Sequence, residues 1–140
     1  MITTPYTHYW LLDATFHLHF AWITCATFIN VNLCFVAYAG DNRALHLGAA
    51  VISLAFLYLI AVILGYWFRS GLIIPVLVFV WAFFGVSMEL SNPMDKIASS
   101  FGSTVTDGLS GAAAFMSASM LVFAILISVF PVTRLVKQQG

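Results

Sequence analysis

The spacing of the charged residues constrains this 140-residue sequence more than any other feature. Its five basic and five acidic residues leave four charge-free stretches of 19 to 27 residues, at 14–40, 44–68, 70–88 and 108–133. About 20 apolar residues in a helix are needed to cross the roughly 30 Å hydrocarbon core of a bilayer. A soluble helix of that length would carry a charged face, and these stretches carry none. The pattern therefore predicts membrane-spanning helices.

The predicted fold class is all-α: an integral membrane bundle of four transmembrane helices forming a single domain over residues 1–140. Turn-rich clusters and aromatic residues next to charges place the boundaries. The four helices are predicted at 14–38, 44–68, 72–90 and 109–132.

The segment between helices 3 and 4 has a different pattern. Its apolar residues recur at three- and four-residue spacing among polar ones, which predicts a short amphipathic helix in the membrane interface within 93–106. An ordinary loop is the alternative, because Gly102, Ser103 and Thr104 weaken a helix.

Composition limits the partners. Hydrophobic residues make up 62% of the chain, charged residues only 7%, and the formal net charge is zero. A soluble domain carries roughly 25% charged residues, and a nucleic-acid-binding domain carries a basic patch. The sequence therefore predicts a lipid bilayer as partner and no nucleic acid. Residues 1–13 contain no Lys or Arg, so they lack the basic region of a cleaved signal peptide and are expected to belong to the mature chain.

Four crossings would put both termini on the same side of the membrane. That side would carry Arg69, Arg134 and Lys137, whereas the opposite side would carry Arg43 and Lys96. Because basic residues are enriched in cytoplasmic loops, three basic residues against two favour cytoplasmic termini.

Helix 1 is unusually polar for a membrane span. At 100° per residue, one of its faces carries His19, Thr27, Asn30 and Cys34. Polar groups in membrane helices normally turn towards the bundle interior or towards water. Two interpretations stay open: these residues make interhelical hydrogen bonds, or they line a pathway or a ligand pocket.

The pathway interpretation adds two acidic residues. Asp13 precedes His17 by four residues, so a carboxylate would lie beside an imidazole, as in a proton relay. Asp13 is equally explained as a favourable charge at a helix start. Glu89 ends helix 3 and either binds a cation or proton or marks the edge of the lipid. The candidate transport or ligand-pathway residues are Asp13, His17, His19, Thr27, Asn30 and Glu89.

Histidines in a membrane bundle raise the hypothesis of haem. His17 and His19 point about 160° apart, and His46 lies across the membrane from both, on the order of 30 Å away. Within one subunit, a bis-histidine haem would therefore need His8 paired with His17 or His19, and ligation between two subunits stays open as the alternative. The cysteines Cys25 and Cys34 are roughly 13 Å apart along one helix, too far for a disulfide. The sequence predicts no metal site.

Helix 4 begins with small residues at helical spacing, which allow close approach of a neighbouring backbone. They predict a helix-packing surface that contacts either helices 1–3 or another subunit. The residues proposed for that surface are Ser110, Ala114, Ser117 and Ala118.

Three functions fit these patterns. The sequence contains no catalytic motif of the kinds that mark soluble enzymes. The small residues of helix 4, the few ionisable groups and the short loops favour a non-catalytic subunit or self-associating component of a membrane assembly, as a homo-oligomer or with other membrane subunits. The first alternative is a small transporter or channel that uses the helix-1 pathway. The second is a haem- or quinone-associated membrane subunit of a redox chain.

Overall fold

The computed structural model describes residues 12–38, 40, 42–67 and 73–129 of the chain. They form five helices: α1 (Ala14–Tyr38), α2 (Arg43–Trp67), α3 (Ile73–Ser91), α4 (Asp95–Phe101) and α5 (Ser103–Val129). All except α4 are long and apolar enough to cross a membrane. The predicted all-α class with four transmembrane helices is confirmed. The predicted helix limits at 68, 72 and 132 lie outside the described residues.

A short turn joins α1 to α2. Gly40 adopts φ +59°, in the left-handed region that favours glycine. The Oδ1 atom of Asn42 accepts a hydrogen bond from the backbone N–H of Leu45 at 3.1 Å, and the Asn42 carbonyl accepts one from the N–H of His46 at 3.1 Å. Asn42 is therefore the N-cap that starts α2.

The segment between α3 and α5 differs in its limits from the predicted interfacial helix at 93–106. The short helix α4 ends at Phe101, and α5 begins at Ser103, six residues earlier than the predicted start at 109. Gly102, at φ +77°, separates the two helices, and its N–H donates to the carbonyl of Ala98 at 2.9 Å. The hydroxyl of Thr106 donates to the Ser103 carbonyl at 3.0 Å, and polar residues with weak helix propensity form the first turn of the last helix.

Helix α3 lies at the centre of the bundle and packs against α1, α2 and, most extensively, α5. Its side chains Val76, Phe79 and Phe83 are essentially inaccessible, as is Met120 of α5. Because lipid is as apolar as these residues, close van der Waals packing and interhelical hydrogen bonds, rather than exclusion from water, hold such helices together.

Helix α1 is the least buried of the four long helices. Only Ala14, Ala21 and Cys25 are buried along its 25 residues. Two aromatic contacts attach it: Trp22 lies 5.5 Å from Trp81 of α3, and Phe28 of α1 lies 6.5 Å from Phe56 of α2, measured between ring centroids. Most of the surface of α1 is therefore open to lipid or to another protein.

Candidate functional site

Several hydroxyl groups inside the bundle form hydrogen bonds between helices. The hydroxyls of Tyr58 on α2 and Ser119 on α5 lie 3.1 Å apart. Ser110 of α5 donates to the carbonyl of Ser87 on α3 at 2.9 Å, and Ser117 donates to the carbonyl of Val80 at 2.9 Å. These hydrogen bonds connect helices within one chain and leave the hydroxyls concerned satisfied.

Two asparagines on α1 have opposite surroundings. Asn32 lies on the inner face, where its Nδ2 donates to the Phe28 carbonyl and to Oγ of Ser53 on α2, both at 2.8 Å. Asn30 is exposed on the outer face and makes no side-chain hydrogen bond to the described part of the chain. Two residues correspond to about 200° around a helix, so the two carboxamides point in nearly opposite directions.

Asn30 lies deep in the membrane span. It is four residues from the midpoint of α1, or about 6 Å along the axis, against a half-thickness of about 15 Å for the hydrocarbon core. Thr27, on the same face, differs from Asn30 because its hydroxyl donates to the carbonyl of Ile23 at 2.8 Å. The Asn30 carboxamide, with two N–H donors and one carbonyl acceptor, is therefore an exposed polar group near the middle of the span whose hydrogen bonds must come from elsewhere.

An open groove runs beside Asn30. It has a volume of about 600 Å³ and lies mostly on α1, with a single contribution from α2. Its walls are largely apolar, and its polar groups come from the outer face of α1. The lining residues are Thr27, Asn30, Val31, Cys34, Phe35, Tyr38 and Leu45.

The six candidate pathway residues do not converge inside the bundle. Asp13, His19, Thr27, Asn30 and Glu89 are exposed, and His17 is partly buried. Glu89 lies at the end of α3, whereas the other five lie on or beside α1. The interior between the helices is filled by apolar side chains instead.

The histidines lie apart from one another. The Nδ1 atom of His17, near the start of α1, and the Nε2 atom of His46, near the start of α2, are buried without a hydrogen-bond partner in the part of the chain that the structure describes. Among the same residues, no group of three His, Cys, Asp or Glu side chains comes together. His8, the haem partner suggested by the sequence, lies outside the described residues. Both cysteines are free.

The four residues proposed for helix packing lie along one side of α5 but differ in burial. Ser117 is buried and Ser110 partly buried, and both bond to α3. Ala114 and Ala118 are exposed on the outer surface. Small size alone does not distinguish the buried positions from the exposed ones. The signal that does is the hydroxyl group, because Ser110 and Ser117 need an acceptor inside the bundle whereas an alanine does not.

Sequence reasoning did not assign Asn32, which joins α1 to α2. The sequence feature that could have identified it is its angular position around the helix. At 100° per residue Asn32 lies on the same side as Ala21, Cys25 and Phe28, and opposite Asn30. Two asparagines separated by one residue in a membrane helix cannot both face the same neighbour. That spacing places one carboxamide towards α2 and the other away from the bundle.

The sequence of the chain matches a known protein family. A family model described as TSPO-like protein matches residues 1–127. The chain belongs to the TSPO-like protein family. Members of this family are multi-helix membrane proteins, in agreement with the four long apolar helices. No curated protein and no solved structure gives a significant match to this TSPO-like chain.

Proposed function

We propose that this TSPO-like protein is a non-catalytic component of a membrane assembly and that the outer face of α1 is its association surface. The observation that carries the proposal is the exposed carboxamide of Asn30, without a hydrogen bond to the described chain and well inside the hydrocarbon core. A polar group left unsatisfied in lipid costs several kcal/mol. A neighbouring helix that bonds to Asn30 removes that cost.

The surroundings of Asn30 support the same conclusion. Other outward positions of the bundle carry large apolar side chains, such as Leu59, Ile63 and Phe84, which suit contact with lipid. Polar residues in membrane helices normally avoid lipid and face protein or water. A run of outward polar residues on the least buried helix is therefore the expected pattern for a helix that packs against a second membrane protein.

The transporter and redox-subunit alternatives receive less support. A transport pathway needs polar groups that face one another across a lumen, whereas five of the six candidate residues are exposed on the surface of a bundle with an apolar core. A haem between His17 and His46 would have to bridge the two ends of the bundle. The proposed association can be tested by substituting each of the two asparagines of α1 in turn.

The experiment compares Asn30→Leu with Asn32→Leu in lipid nanodiscs prepared directly from the native membrane. The wild type is expected in a particle that contains more than one protein chain, by native mass spectrometry. Asn30→Leu should yield single chains with unchanged helicity and thermal stability. Asn32→Leu should keep the larger particle and lose stability, because its bond lies within the chain. A wild type found only as single chains, or an Asn30→Leu variant with an unchanged particle, would contradict the proposal.

A further inference from the structure

The groove beside Asn30 holds two hydrogen-bond donors that the described chain leaves unused. Asn30 offers the Nδ2–H groups of its exposed carboxamide, and Cys34, about one helical turn further along α1, offers an exposed thiol. Neither side chain makes a hydrogen bond within the part of the chain that the structure describes. Thr27 differs, because the Ile23 carbonyl already accepts its hydroxyl proton. The donors of the groove that are open to a ligand are therefore those of Asn30 and Cys34.

Both donors lie at a depth that water does not reach. The midpoint of α1 is Ala26, so Asn30 is four residues and Cys34 eight residues away from it, or about 6 Å and 12 Å along the axis. The hydrocarbon core extends about 15 Å from its centre. A partner for these groups must itself dissolve in hydrocarbon. Charged lipid headgroups are therefore excluded, and a neutral molecule with hydrogen-bond acceptors is favoured.

The spacing of the two donors matches a pair of carbonyl groups on one ring. Residues four apart lie on the same face of a helix, so Asn30 and Cys34 are separated by about 6 Å along the axis. Two C=O bonds of about 1.2 Å on opposite sides of a six-membered ring place their oxygens about 5 Å apart. A para-quinone that lies along α1 therefore presents one acceptor to the carboxamide and one to the thiol, which is the weaker donor.

The walls of the groove suit a ring that carries an apolar chain. Val31 and Phe35 of α1 and Leu45 of α2 line it. Its volume of about 600 Å³ is in the range of roughly 300–1,000 Å³ found for small-molecule sites. Phe35 is 38% exposed, so part of its ring is available for contact with a ligand ring. The groove is open, so the chain of the ligand can stay in the surrounding lipid.

We propose that this groove binds the head ring of an isoprenoid quinone dissolved in the bilayer, with one carbonyl accepting a hydrogen bond from Asn30 and the other from Cys34. The quinone acts as a ligand, and no electron transfer is involved. A partner helix would need the same carboxamide, so the quinone and the helix compete and the ligand regulates association. This competition rests on the proposed function, whereas binding of the ring rests on the groove itself.

Photolabelling of the purified chain in nanodiscs tests the site. The probe is a benzoquinone with a ten-carbon chain and an azide on the ring, and the labelled peptides are identified by mass spectrometry. Label is expected on α1 between residues 27 and 38. An excess of unlabelled decylquinone should remove it. Decylbenzene, which has the same chain and no carbonyl, should not.

Substitutions in the groove test the two hydrogen bonds. Asn30→Leu should raise the decylquinone concentration at half-maximal competition about tenfold. Cys34→Ala should raise it about twofold, because a thiol is a weak donor. The matched control is Val36→Ala, since Val36 is exposed on α1 but does not line the groove. This variant should bind as the wild type does. Circular dichroism of each variant checks that the helices are intact.

The regulatory part is tested on the particle isolated in native-membrane nanodiscs. Added decylquinone should convert the wild-type particle to single chains, as Asn30→Leu does, because it occupies the carboxamide that the partner helix uses. Decylbenzene at the same concentration should leave the particle intact. A groove that binds quinone beside a particle that decylquinone does not dissociate would contradict the regulation.

The remaining outcomes separate this inference from the proposed function. Label spread evenly over the lipid-facing helices, or competition unaffected by Asn30→Leu, overturns the quinone site. If the native particle nevertheless dissociates with Asn30→Leu, the association surface stands without the ligand. If decylquinone competes for the groove but the wild type occurs only as single chains, the quinone site stands and the proposed function fails.

Discussion

The Nδ2 atom of Asn32 lies 2.8 Å from Oγ of Ser53, and this hydrogen bond joins the least buried helix to α2. Asn32 also donates to the carbonyl of Phe28 in its own helix at the same distance. Ser53 is buried, so its hydroxyl depends on this contact. The bond is a specific polar attachment of α1 to the rest of the bundle.

Asn32→Leu is therefore expected to lower the free energy of unfolding by about 1 kcal/mol, since interhelical hydrogen bonds in membranes average roughly 0.6 kcal/mol and reach about 2. Unfolding in mixed micelles with increasing dodecyl sulfate measures the change. A double-mutant cycle with Ser53→Ala should give a coupling energy of similar size. A coupling energy near zero would show that the bond contributes nothing to stability.

Gly65→Ala should destabilise the bundle. A Cβ at Gly65 would overlap the ring of Phe123 on α5, which packs directly on this glycine. Overpacking of this kind typically costs about 1–3 kcal/mol. In a Phe123→Leu background the loss of stability caused by Gly65→Ala should be smaller.

The matched control is Gly85→Ala, where nothing lies within 4 Å of the added Cβ. That change should be neutral or stabilising by up to about 1 kcal/mol, because alanine favours helix over glycine. Equal losses at the two glycines would contradict the close α2–α5 contact.

Ser117→Leu and Ala118→Leu should behave differently despite their adjacency. Ser117 is 7% exposed and bonded to Val80, so a leucine there should cost at least about 1 kcal/mol through overpacking and loss of the hydrogen bond. Ala118 is exposed, so its variant should stay within about 0.5 kcal/mol of the wild type. Both are measured by thermal unfolding in the same detergent. Because the proposed association uses α1, Ala118→Leu should also leave the native particle intact.

Proton flux into dye-loaded liposomes tests the transporter alternative. Protein-containing vesicles are expected to acidify no faster than empty ones, because the candidate residues lie on the outside of an apolar bundle. Glu89→Gln and His19→Ala should change neither this background rate nor the stability of the fold. A flux that the wild type accelerates and Glu89→Gln abolishes would instead favour the pathway through helix 1.

The membrane fold was predictable because each charge-free stretch is long enough for a helix to cross the hydrocarbon core of a bilayer. The break at Gly102 was not predictable in its position, since Ser103 and Thr104 have weak helix propensity and are nevertheless helical in α5.

The candidate site was predictable in part. Helical periodicity alone groups Thr27, Asn30 and Cys34 on one face of helix 1. It does not tell whether that face turns inward or outward, because both faces of α1 carry an asparagine and both carry apolar residues. The orientation of α1 depends on which asparagine can bond to a hydroxyl on α2, and Ser53 provides that hydroxyl for Asn32. Such a tertiary contact is not encoded in the pattern of one helix.

Because α1 is the least buried of the long helices, the requirements on its inward positions are separate from those on its outward positions. Substitutions at the inward residues Ala21, Cys25 and Asn32 affect the stability of the bundle, whereas substitutions around Asn30 affect the surface that we propose for association. Under the proposed association, homologues of this protein could bind different membrane partners through changes at outward positions of α1 alone, while the interior formed by α2, α3 and α5 stays unchanged.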